Sequence, residues 1–249
     1  MNRLTQLLMT KHRSYLEKKV IKHQCNLDSG SVFPQVNWLS YHIPKTAGTS
    51  LRFSLEKGLG VARIQYAYHH SFAKALSNGE PVWCNDKTQI LHGHFAYHDN
   101  HPIIYPNARK MVWLRDPSQR AWSLLNHWLR VKSGAPYKWL EQEYLTNSKL
   151  ASDTNLLFEE VILNNRFKNQ FAAYEVYLNG LDKTDFAFVG QCENFSAEIQ
   201  RLERILSVKL PILSLNKNQS KHQLNDSNRI IFDKHFQDEC ELYHDWISS

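Results

Sequence analysis

The sequence predicts an α/β fold in which a central parallel sheet is flanked by helices. Three observations carry this: short apolar runs rich in β-branched and aromatic residues, helical periodicity between those runs, and turn residues at the junctions. The chain has 249 residues, 42% of them hydrophobic, enough to bury a substantial core within one large domain.

The elements follow in chain order. In residues 1–24, Arg3, Lys11, Arg13, Lys18, Lys19 and Lys22 oppose Glu17 alone, so six minus one places +5 of the net +6 there. Leu4, Leu7, Leu8, Tyr15 and Leu16 recur at helical spacing, which makes residues 1–36 a basic N-terminal helical extension. Such a helix suits peripheral contact with an anionic membrane surface, or packing on its own domain with its lysines in water. SGSVFPQ (30–36) reads as a loop. Strands are expected at VNWLSYHI (36–43), TQILHGHF (88–95), KMVWLRD (110–116) and FAFVGQCE (186–193). Helices are expected from Thr49 to Gly58, from Pro117 to Lys132, over residues 154–164 and 194–208, and as one last helix over 227–247.

Composition narrows the function. An excess of 30 Lys and Arg over 24 Asp and Glu favours anionic ligands but is too diffuse for a dedicated nucleic-acid binder. Cys25, Cys84, Cys192 and Cys240 form no CxxC pair, so free thiols in a reducing compartment are expected. No apolar stretch approaches the ~20 residues that span a bilayer, and the start lacks the apolar core of a signal peptide. A cytoplasmic location is expected.

The segment YHIPKTAGTS (41–50) resembles a phosphate-binding loop with its parts reordered, since Lys45 precedes Gly48 and the hydroxyl residues. A strand that ends at Ile43 and a helix that starts near Thr49 leave the N–H groups of residues 47–50 pointing outward along the helix dipole. The hydroxyls of Thr46, Thr49 and Ser50 add donors, Lys45 adds a full charge, and Gly48 is expected to let the backbone approach a ligand. An ordinary strand-turn-helix junction capped by Thr49 is the competing reading.

In LRDPSQRAWS (114–123), Pro117 suits the first helical position and Asp116 the cap before it. Arg115 then lies beside a helix N-terminus, and Arg120 and Ser123 share a helical face. A guanidinium fork with a hydroxyl suits a phosphate monoester, while Arg120 could instead pin the loop through Asp116. In ILHGHF (90–95), His92 and His94 point to one face of a strand and Gly93 leaves the other face open. A zinc site with His98, Asp99 and His101 fits no usual ligand spacing, and ordinary histidines are a further alternative in a chain that has 13. YAYHHSF (66–72) is a candidate acceptor-groove lining.

The paired motifs HIPKTAGTS and LRDPSQRAWS resemble the cofactor loops of the carbohydrate sulfotransferases, a family that includes heparan sulfate and chondroitin sulfotransferases and their bacterial relatives. The late strand FVGQCENF and the ending LYHDW are also similar, so the resemblance spans residues 37–247 and leaves out the first 36. It implies a P-loop-like sulfotransferase fold and a single domain over 37–249 that uses 3′-phosphoadenosine 5′-phosphosulfate (PAPS), with no metal and a glycan or oligosaccharide acceptor. Carried over by position, Lys45, Thr46, Ala47, Gly48, Thr49 and Ser50 would hold the 5′-phosphosulfate, and Arg115 with Ser123 the 3′-phosphate. The family's His-Gly-His implies a histidine base, His94, with His92 as orienter or second base; the sequence does not separate the two. Loop residues Asn216, Ser220 and Lys221 (in LNKNQSK, 215–221) would lie near cofactor or acceptor. A P-loop-type kinase with Asp116 on magnesium, and a glycan-binding relative without turnover, are the alternatives.

Overall fold

The computed structural model describes residues 3–212 and 223–248; the loop 215–221 lies outside them. Five strands, β1 (Trp38–Tyr41), β2 (Ile64–Ala67), β3 (Ile90–Gly93), β4 (Arg109–Leu114) and β5 (Phe186–Gln191), form one sheet in the order β2-β3-β1-β4-β5. All its pairings are parallel, with Ser40 opposite His92 and Tyr41 opposite Gly93. Every strand therefore ends at the same edge.

Helices supply the crossovers and cover. α1 (Arg3–Gln24) precedes β1, α2 (Gly48–Leu59) joins β1 to β2, and α3 (His70–Ser77) joins β2 to β3. α4 (His101–Ile104) leads to β4 and α5 (Pro117–Val131) leaves it. Then come α6 (Gly134–Glu143), α7 (Ser148–Ser152), α8 (Thr154–Ile162), α9 (Lys168–Phe171) and α10 (Ala173–Leu178) before β5. α11 (Phe195–Leu206), α12 (Asp226–His235) and α13 (Gln237–Ile247) follow it.

Alternation along the strands fixes which residues enter which core. Met111 and Trp113 of β4 pack with Leu51 and Leu55 of α2 and with Ile199 and Leu202 of α11. Val112 and Leu114 pack with Leu76 of α3, Tyr174 of α10 and Trp246 of α13. Both faces are thus covered, as continuous apolar strands require. A third cluster lies among helices, where Trp122, Phe158, Phe171 and Phe232 meet.

The second half of α1 is anchored to this body. Val20 is buried in the core that holds Leu39 and Tyr41, and Phe33 and Val36 join it. Gln24 bridges the carbonyl of Pro81 and the N–H of Trp83, each at 2.9 Å, and Arg13 pairs with Glu56 at 3.3 Å. Lys11, Lys18, Lys19 and Lys22 remain exposed. No helix among the described residues is long and apolar enough to cross a membrane.

Two local expectations need correction, and one strand was not foreseen. The last helix is two, broken at Phe236 (φ −120°, ψ 47°). The unforeseen strand is edge strand β2, which takes in the first two residues of the aromatic stretch 66–72, with Tyr66 donating to Glu56 at 2.6 Å. The open side of Gly93 is taken by β2, because a Cβ there would stand 2.3 Å from the Ala67 carbonyl oxygen.

Candidate active site

Because the strands are parallel, their carboxyl ends gather at one edge, where open α/β sheets bind ligands. A cavity of about 850 Å³ lies there. The exit of β1 contributes His42 and the loop to Ser50, β3 contributes His94, β4 contributes Arg115, and β5 contributes Cys192 and Glu193. The opposite wall is α5, with Gln119, Ser123, His127 and Arg130. A smaller cavity of about 420 Å³ opens beside it and shares Lys45, Arg115 and those four α5 residues.

The β1–α2 loop is held in an uncommon backbone shape. Lys45 (φ 75°) and Ala47 (φ 56°) both occupy the left-handed region, which costs a non-glycine residue roughly 1–2 kcal/mol. The cap of α2 is Ala47, without a side-chain hydrogen bond, and the helix begins at Gly48; Thr49 lies within the first turn. The first N–H groups of α2 are thus left without a capping side chain and face the cleft at the positive end of the helix. Strain of this kind clusters where a loop must present its backbone to a ligand.

Gly48 has a further reason beyond the one its sequence suggests. A Cβ there would stand 1.7 Å from Nε2 of His42, so the residue is small to admit an imidazole. Thr46 is fully buried, and its hydroxyl donates to the Ile43 carbonyl at 2.8 Å, which locks the turn and leaves that hydroxyl facing inward.

Lys45 is the charge of this loop. Burial, and then the guanidinium groups of Arg130 and Arg115, lower its pKa from 10.5 to about 8. Three cations on one cleft with no carboxylate paired to them among the described residues leave positive charge for an anion to neutralise.

Arg115 is aimed from behind. Tyr174, fully buried, accepts the Arg115 N–H at 2.8 Å and donates to the Arg115 carbonyl. Asp116 caps α5 as expected, accepting from the Gln119 N–H at 3.0 Å, and it also binds Ser118 and Arg229. Arg120 does not pin this loop. It is fully buried, pairs with Glu239 at 3.3 Å and donates to the Gln170 and Phe171 carbonyls.

The histidines form a stack of three rather than a pair. His42 lies between His92 and His94, with ring centroids 5.1 and 4.5 Å away. His94 lines the cleft, and its Nδ1 lies 2.6 Å from the His42 carbonyl. A carbonyl only accepts, so Nδ1 carries the proton and Nε2 keeps its lone pair. Burial holds His94 below the ordinary imidazole value, against the pull of that carbonyl. His92 is fully buried, bonded through Nδ1 to Ser40 Oγ at 2.8 Å, and is not among the residues lining the cleft; burial lowers its pKa to about 3.

The structure therefore brings Lys45, Ala47, Gly48, Thr49, Ser50, His94, Arg115 and Ser123 to one cleft, and sets Thr46 and His92 behind its wall. The motif reading passed over His42, His127 and Arg130. His42 follows its strand without any spacing signal, but the positions of His127 and Arg130, four and seven after Ser123, lie on its helical face. His101 bonds Tyr41 and the Leu76 carbonyl, and no group of three or more His, Cys, Asp or Glu is gathered for a metal among the described residues.

Fold and site together define an α/β protein with a cleft at the carboxyl edge of a parallel sheet, lined by Lys45, Arg115 and Arg130 and by the His94 imidazole. No protein-family profile matches the chain, and no curated protein does. Among solved structures it is similar to a sulfotransferase from Alicyclobacillus acidocaldarius, with 15% identity over 85% of this chain and 95% of that one and a TM-score of 0.49. It is also similar to mouse sulfotransferase SULT7A1 complexed with PAP, with 15% identity over 83% of this chain and 66% of that one and a TM-score of 0.36.

Proposed function

We propose that the chain is a PAPS-dependent sulfotransferase that delivers a sulfuryl group to a carbohydrate hydroxyl. The observation that supports this best is the convergence of Lys45, the α2 N-terminus, Arg115, Ser123 and His94 on one cleft. The donor fits that set: the backbone cradle and Lys45 suit a phosphosulfate, and Arg115 with Ser123 suits a phosphate monoester. The carbohydrate acceptor rests on the motif resemblance.

When bound, PAPS supplies an activated sulfuryl group and a phosphate leaving group. His94 Nε2 accepts the proton of the attacking sugar hydroxyl as the new S–O bond forms and the S–O bond to the phosphate breaks. Lys45 and the amides of residues 47–50 stabilise the charge that gathers on the departing phosphate oxygen. Arg115 and Ser123 hold the ribose phosphate, which sets the register of donor against acceptor.

A kinase reading asks Asp116 to hold magnesium. Its carboxylate is instead filled by the Gln119 N–H, Ser118 and Arg229. The test is a PAPS turnover screen over neutral and acidic oligosaccharides, read as release of 3′-phosphoadenosine 5′-phosphate (PAP). Acceptor-dependent release is expected; binding of glycans without any turnover would overturn the enzymatic reading in favour of a glycan-binding protein.

A further inference from the structure

His42 is the one imidazole of the stack that touches both its neighbours and the loop that carries Lys45. Its backbone is fixed by an N–H bond to the Gly93 carbonyl at 2.9 Å, so the ring leaves β1 in a set direction. Nε2 takes the space that a side chain at Gly48 would fill, which puts it at the start of α2 on the cleft wall. Nδ1 lies 2.7 Å from the Tyr68 hydroxyl.

That contact decides the tautomer. The Tyr68 hydroxyl has one proton, and His42 Nδ1 is its hydrogen-bond partner among the described residues. If His42 donated through Nδ1, the phenol proton would be left without a protein acceptor in a half-buried place, a loss of about 0.5–1.5 kcal/mol. The phenol therefore donates, Nδ1 accepts, and the ring proton sits on Nε2. Nε2 has no partner among the described residues.

We propose that His42 is a fixed, neutral hydrogen-bond donor to the transferring group: Tyr68 occupies Nδ1, so that Nε2–H faces the anion held between Lys45 and His94. The assignment rests on the sulfotransferase reading of the cleft. No proton leaves His42 in the step. It lends an N–H to a sulfuryl oxygen, while His94 alone gains a proton.

The surroundings keep that donor uncharged. Burial comes first, followed by His92, His94, Arg52 and Lys45, and together they hold His42 well below the ordinary imidazole value. A charged His42 would oppose the protonation of His94, whose ring is stacked on it at 4.5 Å. A neutral donor aids the anion without weakening the base beside it.

Two readouts test this. Long-range nitrogen–proton correlation spectra of the wild-type protein, without nucleotide, should show His42 protonated at Nε2 only, and Tyr68→Phe should shift it toward a mixture. Protonation at Nδ1 in wild type overturns the proposal. In the second readout, His42→Phe keeps the stacked ring and removes the donor, whereas His42→Gln restores an N–H at comparable reach. Calorimetry with PAP, which lacks the sulfuryl group, should give the same affinity for both variants and wild type. PAPS turnover should fall on the order of 10² in His42→Phe and recover largely in His42→Gln. Equal turnover in wild type and His42→Phe, or loss of PAP binding in both variants, overturns the donor role. Wild-type protein that binds no PAP overturns the reading of the cleft instead, and the spectra still report the tautomer.

Discussion

In the proposed reaction His94 and Lys45 divide the chemistry, and each would leave its own pH signature. The base works deprotonated, so kcat/KM should rise with pH through the His94 pKa, which burial places below 6.5, and be level at neutrality. His94→Ala should abolish that acidic limb with most of the turnover; a limb that persists in the variant would remove His94 from the role. Lys45 works charged, and burial with two guanidinium neighbours lowers its pKa to about 8. A bound anion favours its protonated form, so PAP affinity should be constant below that value and weaken by up to about tenfold per pH unit above it. Lys45→Ala should flatten this dependence and lower turnover by ~10² to 10³. Arg115→Ala should weaken PAP but spare nucleotides phosphorylated only at the 5′ position, a contrast that competition binding would read. Of these side chains, Lys45 and Arg115 could be placed at strand-to-helix junctions from residue type and neighbours, whereas His94 was singled out from His92 only by the family resemblance, and the fold separates the two by burying His92. The inward turn of the Thr46 hydroxyl was not legible, because its partner is a carbonyl three residues back, in a turn whose left-handed residues are Lys45 and Ala47 rather than glycines.

The β1–α2 junction is where local geometry and function meet. Gly48→Ala should force the His42 ring aside, because the added Cβ would stand 1.7 Å from its Nε2, and both melting temperature and turnover should fall. Unchanged melting and turnover would show that this packing carries no weight. Most elements could be read because apolar runs and caps announce them: Asp116 followed by Pro117 marks the start of α5. β2 was missed because IQYA is a four-residue edge strand without a continuous apolar run. The break between α12 and α13 was hidden because Phe232, Phe236 and Cys240, four apart, all enter the same core. Periodicity alone does not reveal a kink that preserves the buried face.

Across the molecule, a buried ion pair ties the helical layer to the site. Arg120 of α5 and Glu239 of α13 are 0% and 1% exposed, and the carboxylate also accepts the N–H groups of Tyr174 and Glu175 at the start of α10. Tyr174 in turn brackets the backbone of Arg115, so the pair is linked to the proposed donor site from a distance. Arg120→Ala should cost about 3–5 kcal/mol, because it strands a buried carboxylate, and joint replacement of both partners by methionine should cost much less. Chemical denaturation of the three proteins would read this, and equal losses in the single and double variants would refute it. The parallel sheet was legible because four of its five strands lie in apolar runs separated by helical segments; this cross-link was not, since residues 119 apart in sequence leave no local trace. The nucleotide that the cleft prefers decides the proposed function. Calorimetry of wild-type protein with PAP and, separately, with ATP and magnesium should give metal-independent binding of PAP and none of ATP. Tight magnesium-dependent binding of ATP, with no heat from PAP, would contradict it.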